Sequence, residues 1–128
     1  MSNFKVTTGN CDTTGLPFQD DFSGVEGWPD QRRWCDNKVW INDTYGLDVP
    51  TLGVATFDGL DENGQAYDIN DNDSDTIADV LTSKYIGFGP NPQNVYLSFL
   101  YQVGGRGERP TSGDFLTVQF WSPVDSSW

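Results

Sequence analysis

The sequence predicts an all-β fold, an antiparallel β-sandwich, from three observations. Apolar residues recur with a period of two rather than at helical spacing. The runs that carry this alternation are rich in β-branched and aromatic residues. Between them lie clusters of Gly, Pro, Asn and Asp such as "GFGPNPQN" and "GGRGERPTSGD", which are the chemistry of turns and loops. With 128 residues, 36% of them hydrophobic, the chain suffices for a single domain, 1–128, with a core of its own.

The opening segment, 1–37, has no regular period. Its loop "CDTTGLPFQDDFSGVEGWPDQRRWC" is dense in Gly, Pro and Asp and runs between Cys11 and Cys35, the two cysteines of the chain. A disulfide across a loop of this size would stabilise the fold by about 3 kcal/mol, and the segment needs such a staple. Two free buried thiols are the alternative. A disulfide would place the protein in an oxidising compartment.

The strands follow over 38–128. "KVWIN" (38–42) sets Val39 and Ile41 on one face and Trp40 on the other. "GVATFDG" (53–59) alternates less cleanly, and "ADVLTSKYI" (78–86) sets Val80, Thr82 and Lys84 against Leu81, Ser83 and Tyr85. "NVYLSFLYQV" (94–103) and "DFLTVQFWS" (114–122) alternate most regularly. Leu97, Phe99 and Tyr101 on one strand and Leu116, Val118 and Phe120 on its neighbour are therefore expected to carry much of the core, since burying a large apolar side chain is worth about 1.5–3 kcal/mol. Five or six strands are fewer than a closed sandwich uses. The last edge is expected to be closed by further chain of a longer protein or by a partner.

Charge and composition exclude several functions. Seven Lys plus Arg against nineteen Asp plus Glu give a net charge of -12, which disfavours nucleic acid and acidic membranes as partners. The chain has no histidine, so Ser-His-Asp and Cys-His catalysis and imidazole metal sites are absent. A glycosidase would need two carboxylates in a cleft, but Glu26, Glu62 and Glu108 all sit in loop-like settings and no compact E-x-D-x-x-E pattern occurs. The expectation is a protein that is not an enzyme. No run of apolar residues is long enough to cross a membrane as a helix.

Three motifs carry a family resemblance: Ala78-Asp79-Val80-Leu81-Thr82-Ser83, then Leu97-Ser98-Phe99-Leu100-Tyr101, then a Gly-rich loop and Asp114-Phe115-Leu116-Thr117-Val118. They resemble the "A-x-L-x-S", "L-x-F-x-Y" and "D-x-L-x-V" strands of MAM-type and concanavalin A-like jelly-roll modules, the first match being one residue out of step. Phe18 and Phe22 resemble the strand that opens such sandwiches. Upstream, "LPFQDDFSG" and "PDQRRWCDNKVWINDTYGLDVPTLGVATFDGLDENGQAYD" are similar to passenger regions of large secreted surface proteins of Bacteroidota. Those proteins are exported by the type IX system and linked to gliding and adhesion. The likeness spans residues 16–123. It implies a jelly roll in an extracellular, cell-surface setting and a role in adhesion or assembly; it does not specify a ligand.

Two sets of residues are candidates for a site. The first is the acidic run after the 53–59 strand. Calcium takes six to eight oxygen ligands, and Asp58, Asp61, Asn63, Asp71, Asp73 and Asp75 could supply several, with Asp20, Asp21 and Asp114 as further candidates. Asp68, Asn70, Asn72 and Asp79 stand at the offsets of a helix-flanked calcium loop, but Asp73 replaces the required glycine and no helices flank the run. The alternative is a solvated loop whose charge keeps a sheet edge from aggregating. The second set lies in "WPDQRRWCDNKVWIN", where Trp28 and Trp40, with Tyr45 just beyond, mix aromatic faces with Asn, Asp and Arg as sugar-binding surfaces do. Packing of Trp34 and Trp40 over the disulfide is the structural alternative. Asn42-Asp43-Thr44 also matches the N-x-[ST] acceptor pattern for glycosylation.

The expected function is a non-catalytic adhesion or assembly module that engages protein or glycan at the cell surface. The second reading is a carbohydrate-binding module of a secreted glycan-degrading enzyme.

Overall fold

The structure is a computed structural model and describes residues 11–61, 63–67 and 78–128. Among the described residues there is no helix. Four strands, β1 (Thr13–Gly15), β2 (Trp40–Asn42), β3 (Val54–Thr56) and β4 (Tyr85–Gly87), form two small two-stranded sheets. The protein is all-β, with far less strand than the alternation suggests.

The first sheet pairs β2 with β3 in antiparallel register, Trp40 opposite Thr56, Ile41 opposite Ala55 and Asn42 opposite Val54. Gly27 bridges the other edge of β2, exchanging both backbone hydrogen bonds with Ile41 at 2.8 and 2.7 Å. β2 therefore has backbone partners on both edges. The Ile41 side chain is 0% exposed and, with Val39, forms the buried apolar centre. The alternation read from "KVWIN" holds: Val39 and Ile41 point inward and Trp40 outward. Asn42 ends the strand. Its Oδ1 accepts from the backbone N–H of Thr44 and Tyr45, turning the chain, while its Nδ2 donates to Thr56 Oγ1 at 2.7 Å. Asn42 is buried and its amide nitrogen is engaged by Thr56, a packing that leaves no space for a glycan on that nitrogen.

The second sheet pairs β1 with β4 in parallel, Thr13 opposite Tyr85 and Gly15 opposite Gly87. The disulfide Cys11–Cys35, with Cα atoms 5.1 Å apart, lies beside it. Alongside, Cys35 N–H donates to Thr82 O, Lys84 N–H to Arg33 O and Thr82 N–H to Asp36 Oδ2. An ion pair joins Lys84 to Asp12. The staple thus ties the opening segment to 82–84.

Polar side chains shape the rest of that segment. The buried carboxylate of Asp30 takes Arg32 by two side-chain nitrogens, at 3.0 and 2.8 Å, and Arg33 Nη1 at 2.6 Å, and its own carbonyl accepts the N–H of Arg33 and Trp34. Hydrogen bonds from the Arg32 side chain hold its carboxyl down at about 2. Phe18 and Phe22 do not form the expected opening strand. They gather on Trp34, Phe18 edge-on at 5.3 Å and Phe22 stacked at 5.9 Å, while the indole N–H donates to Asp20 Oδ2 at 2.7 Å. Trp34 packs in this cluster.

The expected strands over 94–103 and 114–122 are not formed. Leu97, Phe99, Tyr101, Leu116, Val118 and Phe120, expected in the core, are all exposed, and Tyr96 and Phe115 reach 85% and 83%. Alternation makes a segment suited to a sheet, but burial needs a partner strand and a covering layer, and no described strand offers either. This ribbon is held at a few points. The Gln102 side-chain amide clasps Leu47, accepting its N–H at 2.9 Å and donating to its carbonyl. Arg106 N–H donates to Tyr45 O at 2.8 Å.

Candidate functional site

The cleft that collects the most chemistry opens beside β2. It encloses about 480 Å³ and is lined by Trp28, Trp40, Tyr45 and Leu60 and by Asn37, Lys38, Asp58, Asp61 and Asn63. That volume lies within the ~300–1,000 Å³ of small-molecule sites.

Its aromatic wall follows from the strand period. Because Ile41 points into the core, Trp40 must point out, and there its ring meets Trp28 edge to face, with centroids 5.3 Å apart and planes at 82°. Gly27 lies against the Trp40 ring. Its φ of 94° disfavours an L side chain, and a Cβ would stand 3.4 Å from the Trp40 ring. Tyr45 is positioned by the Asn42 turn on one side and by the 104–107 loop on the other, where a Cβ on Gly105 would collide with the Tyr45 carbonyl oxygen. Trp28, Trp40 and Tyr45 remain 45%, 44% and 49% exposed, which leaves ring surface for a ligand.

The polar wall is the turn that follows β3. Asp58 Oδ1 accepts from Leu60 N–H at 3.0 Å, and Asp61 Oδ1 accepts from Asn63 and Gln65 N–H at 2.8 and 2.9 Å. Leu60 bridges Ala66, and Asp61 N–H donates to Gln65 O at 2.7 Å, closing a tight loop. The backbone N–H groups of Gln65 and Asn63 lower the Asp61 carboxyl below the ordinary carboxylate range. Behind the turn, Asp79 accepts from Gly59 N–H at 2.6 Å and from the Tyr67 hydroxyl at 3.4 Å. Burial raises the Asp79 carboxyl, and the nearby Asp58 charge adds to the rise.

The two candidate sets read separately from the sequence therefore meet in one place. Trp28, Trp40 and Tyr45 form one wall and Asp58, Asp61 and Asn63 stand in the same lining. The other half of the proposed calcium set, Asp71, Asp73 and Asp75, lies outside the described residues. Among the described residues no group of three or more acidic or cysteine side chains is gathered closely enough to hold a metal ion. Asp20 and Asp21 spend Oδ1 on local turns, accepting from Phe22 and Ser23, and Asp114 accepts from Thr111. Lys38 is a part of the arrangement that the sequence did not single out, and Asp79 was noted only as the last offset of the rejected calcium-loop pattern. Lys38 alternates with Val39 and so belongs with Trp40 on the outer face, a signal present in "KVWIN". Nothing in the sequence tied Asp79 to this turn, since its partners, Gly59 and Tyr67, lie across an intervening run.

A second hollow of about 500 Å³ lies between Phe18, Asp20, Asp21, Arg32 and Arg33. Its charged groups are bound within the fold, the arginines to Asp30 and Asp20 to Trp34, so they hold the segment together. Among the described residues no helix is long and apolar enough to cross a membrane. Comparison with protein-family models, curated proteins and solved structures gives no match.

Proposed function

We propose that this chain is a non-catalytic extracellular binding module that takes carbohydrate in the cleft beside β2. One observation carries the reading: two indoles and a phenol share a cleft with Asn37, Asn63, Asp58 and Asp61. Sugar rings present an apolar face of C–H groups and a rim of hydroxyls, and they are recognised by an aromatic face flanked by directed hydrogen-bonding groups. With no histidine in the chain and the Asp58 and Asp61 carboxylates each closing a turn, the arrangement suits binding better than turnover. The motif resemblance favours a place on a bacterial cell surface, where glycan binding serves adhesion.

The test is a glycan array read with the intact protein and with Trp28→Ala and Trp40→Ala. The proposal expects a saccharide signal that both substitutions lower by about tenfold or more, the loss of a stacked ring costing on the order of 1–2 kcal/mol. No signal on any saccharide would overturn it.

Assembly with another surface protein is a second reading, supported by the exposed apolar side chains of the 94–121 ribbon. Stable co-purification with such a protein in the absence of sugar would favour it. For the acidic run we retain calcium as a proposal. A melt lowered by several degrees when EDTA replaces calcium supports it, and a melt indifferent to EDTA removes it.

A further inference from the structure

The charges in the cleft point beyond carbohydrate in general to one class of it. We infer that the cleft selects sugars carrying a free, protonated amine, such as glucosamine oligomers, over N-acetylated or acidic sugars. The inference rests on the carbohydrate reading above and deepens it.

Three features carry it. The faces of the Trp28 and Trp40 indoles are regions of negative potential, and a cation within about 6 Å of such a face is attracted by it. Asp58 and Asp61 stand in the same lining, and the Asp61 carboxylate is fixed there by the N–H groups of Asn63 and Gln65, which its Oδ1 accepts at 2.8 and 2.9 Å. The cation in that lining, Lys38, lies in the field of the protein's own carboxylates, Asp36 and Asp61. The cleft therefore presents aromatic faces and two carboxylates to a ligand. A neutral sugar gains little from the charges. A uronate or sialic acid meets repulsion there and from a chain of net charge -12. An ammonium group gains charge-assisted hydrogen bonds, which are roughly twice as strong as neutral ones, and cation–π attraction.

Isothermal titration with a glucosamine tetramer, its fully N-acetylated counterpart and a uronate tetramer tests this on the intact chain. The glucosamine tetramer is expected to bind about tenfold tighter than the N-acetylated one, and more so at low ionic strength. Asp58→Asn and Asp61→Asn should each reduce that preference severalfold. Asn keeps an Oδ1 acceptor for the turn, and an unchanged melting curve verifies that the loop is intact. Trp40→Ala should weaken the free-amine and acetylated tetramers through the lost ring face, and the free-amine tetramer more, because it also loses the cation–π attraction. Equal binding of those two tetramers, unaffected by Asp58→Asn and Asp61→Asn, overturns the amine inference and leaves the carbohydrate reading in place. Tightest binding of the uronate also overturns it. Binding of none of the three overturns this inference, and if the glycan array is blank too, the carbohydrate reading falls with it.

Discussion

Residues 11–61 and the ribbon from 88 onward are opposites in how they obtain a shape. The opening part is largely irregular in sequence, with only short alternating runs at 38–42 and 53–59, yet it holds the disulfide, the buried pair Val39 and Ile41, and the turns built by Asp30, Asn42, Asp58 and Asp61. The ribbon has the most regular alternation in the chain, yet its large apolar side chains are exposed and its attachments are few. Order in this molecule comes from cross-links and side-chain-to-backbone hydrogen bonds rather than from the strength of a local pattern. The candidate site lies where the first kind of order is available.

The largest test of that contrast is to remove the staple. Cys11→Ser with Cys35→Ser is expected to cost about 3 kcal/mol, enough to unfold much of the opening segment. Denaturant melts with and without reductant measure it. A change under about 0.5 kcal/mol would mean that the hydrogen bonds around 82–84 suffice without the cross-link.

A paired substitution sharpens the comparison. Ile41→Ala removes a side chain with no exposure and should cost about 2–3 kcal/mol, whereas Phe99→Ala in the ribbon should change stability by less than about 0.5 kcal/mol. Equal losses would show that the ribbon is packed in solution. The sequence was legible on this point only halfway. Val39, Trp40 and Ile41 fell on the faces their alternation assigned, because β2 finds β3 on one edge and Gly27 on the other. Leu97 and Phe120 obey the same rule and remain exposed, because alternation says which side chains would share a face and nothing about what covers that face.

The smallest effect concerns pH. The Asp30 carboxyl titrates at about 2 in the folded protein against the usual 3.8, so the fold favours its ionised form. Its contribution is complete above about pH 4 and is lost as pH falls toward 2. Asp36 works in the opposite sense. Burial raises its carboxyl, so its stabilising share is present in acid and is lost as pH rises through its elevated folded value. Asp30→Asn should flatten the acid limb of the stability curve and lower neutral stability by about 1–2 kcal/mol. An unchanged acid limb would place the acid sensitivity elsewhere.

The candidate site was legible as two lists rather than as a place. Trp28, Trp40 and Tyr45 carried an aromatic signal, and Asp58, Asp61 and Asn63 an oxygen-donor signal. Their meeting depends on the Asn42 turn and on β2–β3 pairing, which no local pattern encodes. The Asp79 support for the loop was hidden for the same reason, its partners being distant in sequence.

The central claim, that the cleft beside β2 is the ligand site, is tested most directly by the indole N–H resonances of the five tryptophans. In a titration with the glucosamine tetramer, the signals of Trp28 and Trp40 should move together and saturate, while those of Trp34, Trp121 and Trp128 stay in place. Five stationary signals, or movement confined to Trp121 and Trp128, would contradict the claim.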